Sequence, residues 1–334
     1  MSTAFKKSFD RMGQKPVFKI LKNLAGLIIL MVVFSILTPK FFTLDNLLTI
    51  TLQMAIYCLL ALGICYVLLV GGAELSAGSI VGLTGMTFVC SLQAGQPVIV
   101  AILLALAIGM VVGICNGFMV AKMKLIPFIA TLGMQYIARG FCQIIANGTS
   151  VSLRNAVTDD KMYEVFKFIG SGRVFGSLPA ATLIVLAFLV LHYIILNKTV
   201  FGRKVYAVGS NPEAAKLSGI KTDKIVMIAY LISAFMATMA GLLYTMRVTI
   251  AQASGGVGYE FEGIAACVIG GISMMGGEGS VIGALIGAST LAVMRNGMNL
   301  IGINSYWQNV VTGVVIVGAV YLDIRRRSKE ASRL

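Results

Sequence analysis

Histidine, charge and nucleotide-binding glycine loops are scarce or absent in this chain of 334 residues, and each shortage excludes a class of function. His192 is the single histidine and lies within an apolar run, so a histidine-based triad or metal site has no second member. No Gly-Lys dipeptide occurs, and the GxxxxGK[ST] loop that cradles nucleotide phosphates is therefore missing. Charged residues make up only 12% of the chain against 58% hydrophobic residues, about half the usual charged share of a globular domain. A soluble fold of this length needs more polar surface, so a soluble enzyme is excluded. The six cysteines (Cys58, Cys65, Cys90, Cys115, Cys142, Cys267) sit in apolar stretches without a CxxC pair and read as buried free thiols.

What the chain does have is apolar length. Runs fall near 23–38, 47–70, 76–94, 97–121, 125–146, 178–197, 225–246, 263–275, 280–296 and 306–322. About 20 apolar residues span a bilayer, so the expected fold is all-α: a polytopic membrane helix bundle with about ten hydrophobic segments. Residues 1–22 carry six basic groups ahead of the first run. No small-residue cleavage site follows, so that run reads as an uncleaved span. With ten crossings and a cytoplasmic N-terminus, 19 Lys and Arg fall inside and 7 outside, Arg139 lying within a span. That asymmetry predicts cytoplasmic N- and C-termini. The organisation expected is a cytoplasmic segment 1–22, one transmembrane domain 23–324 and a basic cytoplasmic tail 325–334. An external loop 147–177 and a cytoplasmic loop 198–224 interrupt the transmembrane domain.

Two places fit a plain crossing poorly. Run 263–275 is too short to span, and it joins 280–296 through Gly276-Gly277-Glu278-Gly279. Broken helices or a re-entrant pair are expected over 263–296, and a break near 71–78 around Gly71-Gly72-Ala73-Glu74. Glycine is abundant at 37 residues. Gly109, Gly113 and Gly117, and again Gly279, Gly283 and Gly287, recur every fourth residue, which predicts close helix packing along those faces.

Chemistry is sparse. Thr131, Gln135, Arg139, Gln143 and Asn147 recur one turn apart in the fifth segment and form a polar stripe. An arginine within a span faces the bundle interior or an aqueous cavity. The stripe reads either as one wall of a translocation path or as interhelical hydrogen bonding that holds the bundle together. In the cytoplasmic loop, Asn211 suits an N-cap, Pro212 the first helical position and Glu213 the positive helix end. Ala214, Ala215, Lys216 and Leu217 continue the turn and Gly219 ends it. A helix of about seven residues is expected there, and so short a helix wants a partner surface.

Asn211 to Gly219, with Phe201-Gly202-Arg203 before it, resembles the coupling loop of the permease subunits of ABC importers for ribose, xylose and galactosides. The resemblance extends to Gly72-Ala-Glu-Leu-Ser-Ala-Gly-Ser79, Asn116-Gly117, Pro127-Phe-Ile-Ala-Thr-Leu-Gly133, Arg139-Gly140, Tyr259-Glu-Phe-Glu-Gly-Ile-Ala-Ala266, Gly270-Gly271, Asn296-Gly297 and Tyr306-Trp-Gln308. It runs from about residue 40 to 322, with Glu74 and Glu262 where aspartate is usual and Gly263 where alanine is usual. The resemblance implies a permease of the prokaryotic plasma membrane that imports a ribose-, xylose- or galactose-like monosaccharide. Its implied partners are a cytoplasmic ATPase, an extracytoplasmic sugar-binding protein, a second permease copy and the surrounding lipid, with no nucleic acid. The chain itself would be no enzyme and hold no cofactor or metal; ATP and Mg2+ would bind the ATPase, which docks on 211–219. Thr131, Gln135, Arg139 and Gln143, with the acidic and hydroxyl groups Glu74, Ser76, Glu260 and Glu262, are the candidate path residues. The alternative reading is an ion-coupled secondary transporter of a small polar solute, using Glu74 and Glu262 for the ion.

Overall fold

In lipid a segment must satisfy its own main-chain hydrogen bonds, and an α-helix does so. The computed structural model describes residues 16–331, and each of the ten apolar runs contributes a helix. The first five are α1 (Pro16–Leu37), α2 (Leu44–Leu69), α3 (Ala77–Gln93), α4 (Val98–Ala121) and α5 (Pro127–Ile145). Short pieces follow: β1 (Val151–Ser152), α6 (Leu153–Ala156), α7 (Asp160–Ser171), β2 (Arg173–Val174) and β3 (Leu178–Pro179). The chain continues with α8 (Ala180–Lys198), α9 (Val200–Ser210), α10 (Pro212–Leu217), α11 (Thr222–Val248) and β4 (Ile250–Ala251). It closes with α12 (Tyr259–Ile269), α13 (Val281–Leu300) and α14 (Ser305–Ala331). Among the described residues, five helices, α2, α4, α8, α11 and α13, are long and apolar enough to cross a membrane by length and composition. The segment 1–15 and the last residues of the basic tail lie outside the described residues.

A helix apolar on all sides belongs in the interior, and α2 obeys: every residue from Cys58 to Val70 is buried. Around it pack α11, α13, α12 and α8. The glycine faces work as close-approach surfaces. Gly109, Gly113 and Gly117 seat α4 against Thr238, Ala234 and Met227 of α11. Gly283 and Gly287 bring α13 against the main chain of Gly270 and Ala266, where an added methyl group would overlap backbone.

Loops gather at two ends. At one, the Gly277 amide donates to the Leu69 carbonyl at 2.9 Å and the Tyr206 hydroxyl to the Gly279 carbonyl at 3.0 Å. Lys122 and Lys124 pair with Asp223 at the same end, at 3.3 and 2.7 Å. At the other end β1 pairs antiparallel with β4, Val151 opposite Ala251, and Arg173 bridges Asp45 at 3.0 Å.

Three expectations change, and a fourth is given its form. The 147–177 segment is folded: Asp159 caps α7 by accepting from the Lys161 amide at 2.9 Å, and Phe166 and Gly170 are buried. The 198–224 segment holds a second helix, α9, whose Val205 and Val208 are buried while Arg203 and Lys204 are exposed. Mixed polarity hid that helix from a search for apolar runs. Over 263–296 the chain is broken, one of the two forms expected: α12 ends at Ile269 and α13 begins at Val281. The half-length element is α12, an 11-residue helix about 16 Å long, and α13 has the 20 residues of a full crossing. Arg295, counted with the outside basic residues, lies inside α13.

Candidate functional site

Between β4 and α12 the chain leaves one end of the bundle and enters its interior as irregular backbone. Its far end packs on the first turns of α3: Gly78 lies against the Glu260 carboxylate and the Gly256 carbonyl, leaving no room for a side chain. Non-helical backbone at this depth survives only when protein groups satisfy it. Arg139 does so, its Nη1 donating to the carbonyls of Ala253 at 2.7 Å and Gly255 at 2.6 Å. Gly82 on α3 leaves space for the guanidinium. One turn earlier, Gln135 Nε2 donates to Glu260 Oε1 at 2.9 Å.

A second polar cluster fills the break between α2 and α3. Glu74 is fully buried. Its Oε1 accepts from the Ser76 amide at 2.7 Å and the Ser76 hydroxyl at 2.6 Å, and its Oε2 from Asn116 at 3.3 Å. The Ala73 carbonyl accepts from the Tyr230 hydroxyl at 3.0 Å. Thr131 is buried beside it and donates to the Pro127 carbonyl at 2.9 Å. Glu262 stands apart from both clusters, ion-paired with Arg295 of α13.

Arg295 also lines a cavity of about 350 Å³ among α2, α11, α12, α13 and α14. Three helices each present residues spaced one turn apart: Gln53 and Tyr57, Tyr244 and Val248, Arg295 and Asn299. Tyr259 stands edge-on to both Tyr57 and Tyr244, with ring centroids 5.9 and 5.6 Å apart.

On the surface, α10 runs over six residues with Asn211 Oδ1 accepting from the Ala214 amide at 2.9 Å. Gly219 ends it in the left-handed region at φ 79°. Ala215 is buried, whereas Leu217 is 91% exposed.

The structure therefore brings Glu74 to Ser76 and Gln135 to Glu260, but divides the α5 stripe. Thr131 is buried and Gln135 and Arg139 are half-buried, while Gln143 and Asn147 are exposed. His192 is a packed core residue, its Nδ1 2.9 Å from the Tyr66 hydroxyl. No cluster of three potential metal ligands occurs among the described residues. Sequence reasoning missed Asn116, Tyr230 and the cavity. Asn116 was signalled, as a lone amide between Gly113 and Gly117 on a packing face; the tyrosines were not, because aromatic residues are ordinary in apolar helices.

A mostly helical bundle with apolar helices long enough to cross a membrane, buried polar clusters and an interior broken segment is the architecture of a multi-pass membrane protein. The chain belongs to the family described as branched-chain amino acid transport system / permease component, whose model matches residues 46–320. It is 38% identical over 306 residues to the ribose import permease protein of Escherichia coli (strain K12), covering 92% of this chain and 94% of that one. The ribose import permease protein of Bacillus subtilis (strain 168) is 38% identical over 318 residues, 95% of each chain. The galactose/methyl galactoside import permease protein of Escherichia coli (strain K12) is 33% identical over 329 residues, 93% of this chain and 97% of that one. No solved structure matches the chain.

Proposed function

We propose that the chain is the permease subunit of an ATP-driven importer that carries a ribose-, xylose- or galactose-like monosaccharide across the prokaryotic plasma membrane. The observation that carries this reading is the near full-length similarity to ribose import permeases in two distant bacteria. In this reading the chain hydrolyses nothing itself. ATP and Mg2+ bind a cytoplasmic ATPase whose groove receives α10, an instance of helix-in-groove recognition. A sugar-binding protein docks at the 147–177 end, and a second permease copy completes the path. Both termini and the 198–224 segment are cytoplasmic, following the basic-residue asymmetry.

The polar seam of Glu74, Ser76, Thr131, Gln135, Arg139 and Glu260 would guide the sugar by replacing hydrogen bonds lost from water. Glu262, paired with Arg295, and the exposed Gln143 would lie on the approaches to that seam. The test is uptake into proteoliposomes holding the permease, its ATPase and its binding protein. Uptake of D-ribose or D-galactose should require ATP hydrolysis and persist when the proton gradient is collapsed. Uptake that follows the proton gradient without the ATPase would favour an ion-coupled secondary transporter.

A further inference from the structure

The cavity at the 147–177 end of the bundle is lined by polar side chains from several helices, among them Gln53, Tyr57, Tyr244, Arg247, Tyr259 and Arg295. Among the described residues, no partner is present for the hydroxyls of Tyr57, Tyr244 and Tyr259 or for the Gln53 amide. Arg295 keeps a buried Nε without a partner.

The walls are also held in place. Gln308 Nε2 donates to Asn299 Oδ1 at 2.6 Å and to the Ile303 carbonyl at 2.8 Å, which orients the Asn299 amide. Arg247 is tethered through Nη1 to the Leu52 carbonyl at 3.2 Å, and Arg295 is paired with Glu262. A cavity lined by oriented donors and aromatic faces is pre-organised for a ligand.

We propose that this cavity is a monosaccharide-binding chamber on the route into the bundle, upstream of the Gln135–Glu260 seam. The inference rests on the sugar-importer reading above. The volume of about 350 Å³ lies at the lower end of small-ligand sites. A sugar ring offers an apolar C–H face, which suits the tyrosine rings, and a belt of hydroxyls that both donate and accept. Phenols and amides match that belt in both directions, and guanidinium groups add donors. The chamber sits beside the β1–β4 end, with Arg247 and Val248 immediately before Thr249, whose carbonyl accepts from Leu153. A sugar released at that end meets the chamber before it reaches Glu260, one residue beyond Tyr259.

The test uses the complete complex in proteoliposomes with D-ribose and D-galactose as probes. Gln53→Cys on α2 and Asn299→Cys on α13 place a thiol in the chamber from two different helices. Either thiol should react with a bulky methanethiosulfonate, verified by mass, and sugar should slow the reaction. Uptake should then be lost and return when reductant releases the group, which separates blockage from misfolding. Tyr57→Phe should slow uptake about threefold to tenfold, the worth of one hydrogen bond. A fully modified Gln53→Cys and Asn299→Cys pair that import sugar at the parent rate would overturn the chamber, as would failure of both thiols to react. If the unmodified parent complex imports neither sugar, the sugar-importer reading falls and takes this inference with it.

Discussion

Gln135 and Glu260 are joined by a 2.9 Å hydrogen bond across 125 residues of chain, the amide on α5 donating to the carboxylate on α12. The other carboxylate oxygen, Oε2, is buried, has no hydrogen-bond partner among the described residues and lies against Gly78 of α3. Three helices therefore meet at one acid. One turn along α5, Arg139 holds the carbonyls of the same descending segment. Half of the polar stripe is thus a dock for the broken backbone at 252–260, and the other half is exposed.

This division predicts unequal behaviour from two similar substitutions. Gln135→Leu removes the side-chain partner of a buried carboxylate and should cost about 1–3 kcal/mol. Gln143→Leu removes an exposed amide and should stay within about 0.5 kcal/mol. Thermal unfolding of the purified variants in detergent measures both. Equal shifts would mean that Gln135 is not a docking residue.

Arg139→Leu should be more damaging, because two interior carbonyls lose their donor at once. The expected loss exceeds about 2 kcal/mol. Arg139→Lys keeps the charge and a donor, but its ammonium is a point charge and not a planar guanidinium, so it should recover only part of it. Limited proteolysis between 252 and 258 should accelerate in both variants. A cleavage rate equal to that of the parent would remove the clamp.

At α10 the predicted effect is on coupling rather than folding. Glu213→Lys places a positive charge at the positive helix end, and Leu217→Asp removes the exposed apolar tip. Each should leave membrane insertion normal and weaken ATPase retention, by about 2 kcal/mol for the leucine if it is a contact hot spot. Co-purification with the ATPase reads this directly; unchanged retention in both variants would place the docking surface elsewhere.

Orientation is tested with exposed positions at the two ends. Asn155→Cys or Asp160→Cys should react with an impermeant thiol reagent applied to intact cells, and Lys204→Cys should not. All three sites are exposed, and four of the six native cysteines are buried, with the parent chain as control. Reversed labelling would invert the proposed topology.

The sequence by itself determined the ten apolar helices and the surface turn at 211–219. Bilayer length and main-chain satisfaction act locally, so ten apolar runs announce ten helices. A cap, a proline and a terminal glycine lie within nine residues and need no distant partner. It also marked Arg139 and Gln135 as out of place among apolar neighbours. Only the tertiary structure decided what those groups meet. Arg139 finds Ala253 and Gly255, Gln135 finds Glu260, and Arg295 finds Glu262, partners from other helices. α9 escaped notice because its buried face is set by contact with neighbouring elements, not by overall hydropathy. The cavity is the extreme case: Gln53, Tyr244, Tyr259 and Asn299 are unremarkable along the chain. They form one chamber only because helix packing turns their faces towards the same space.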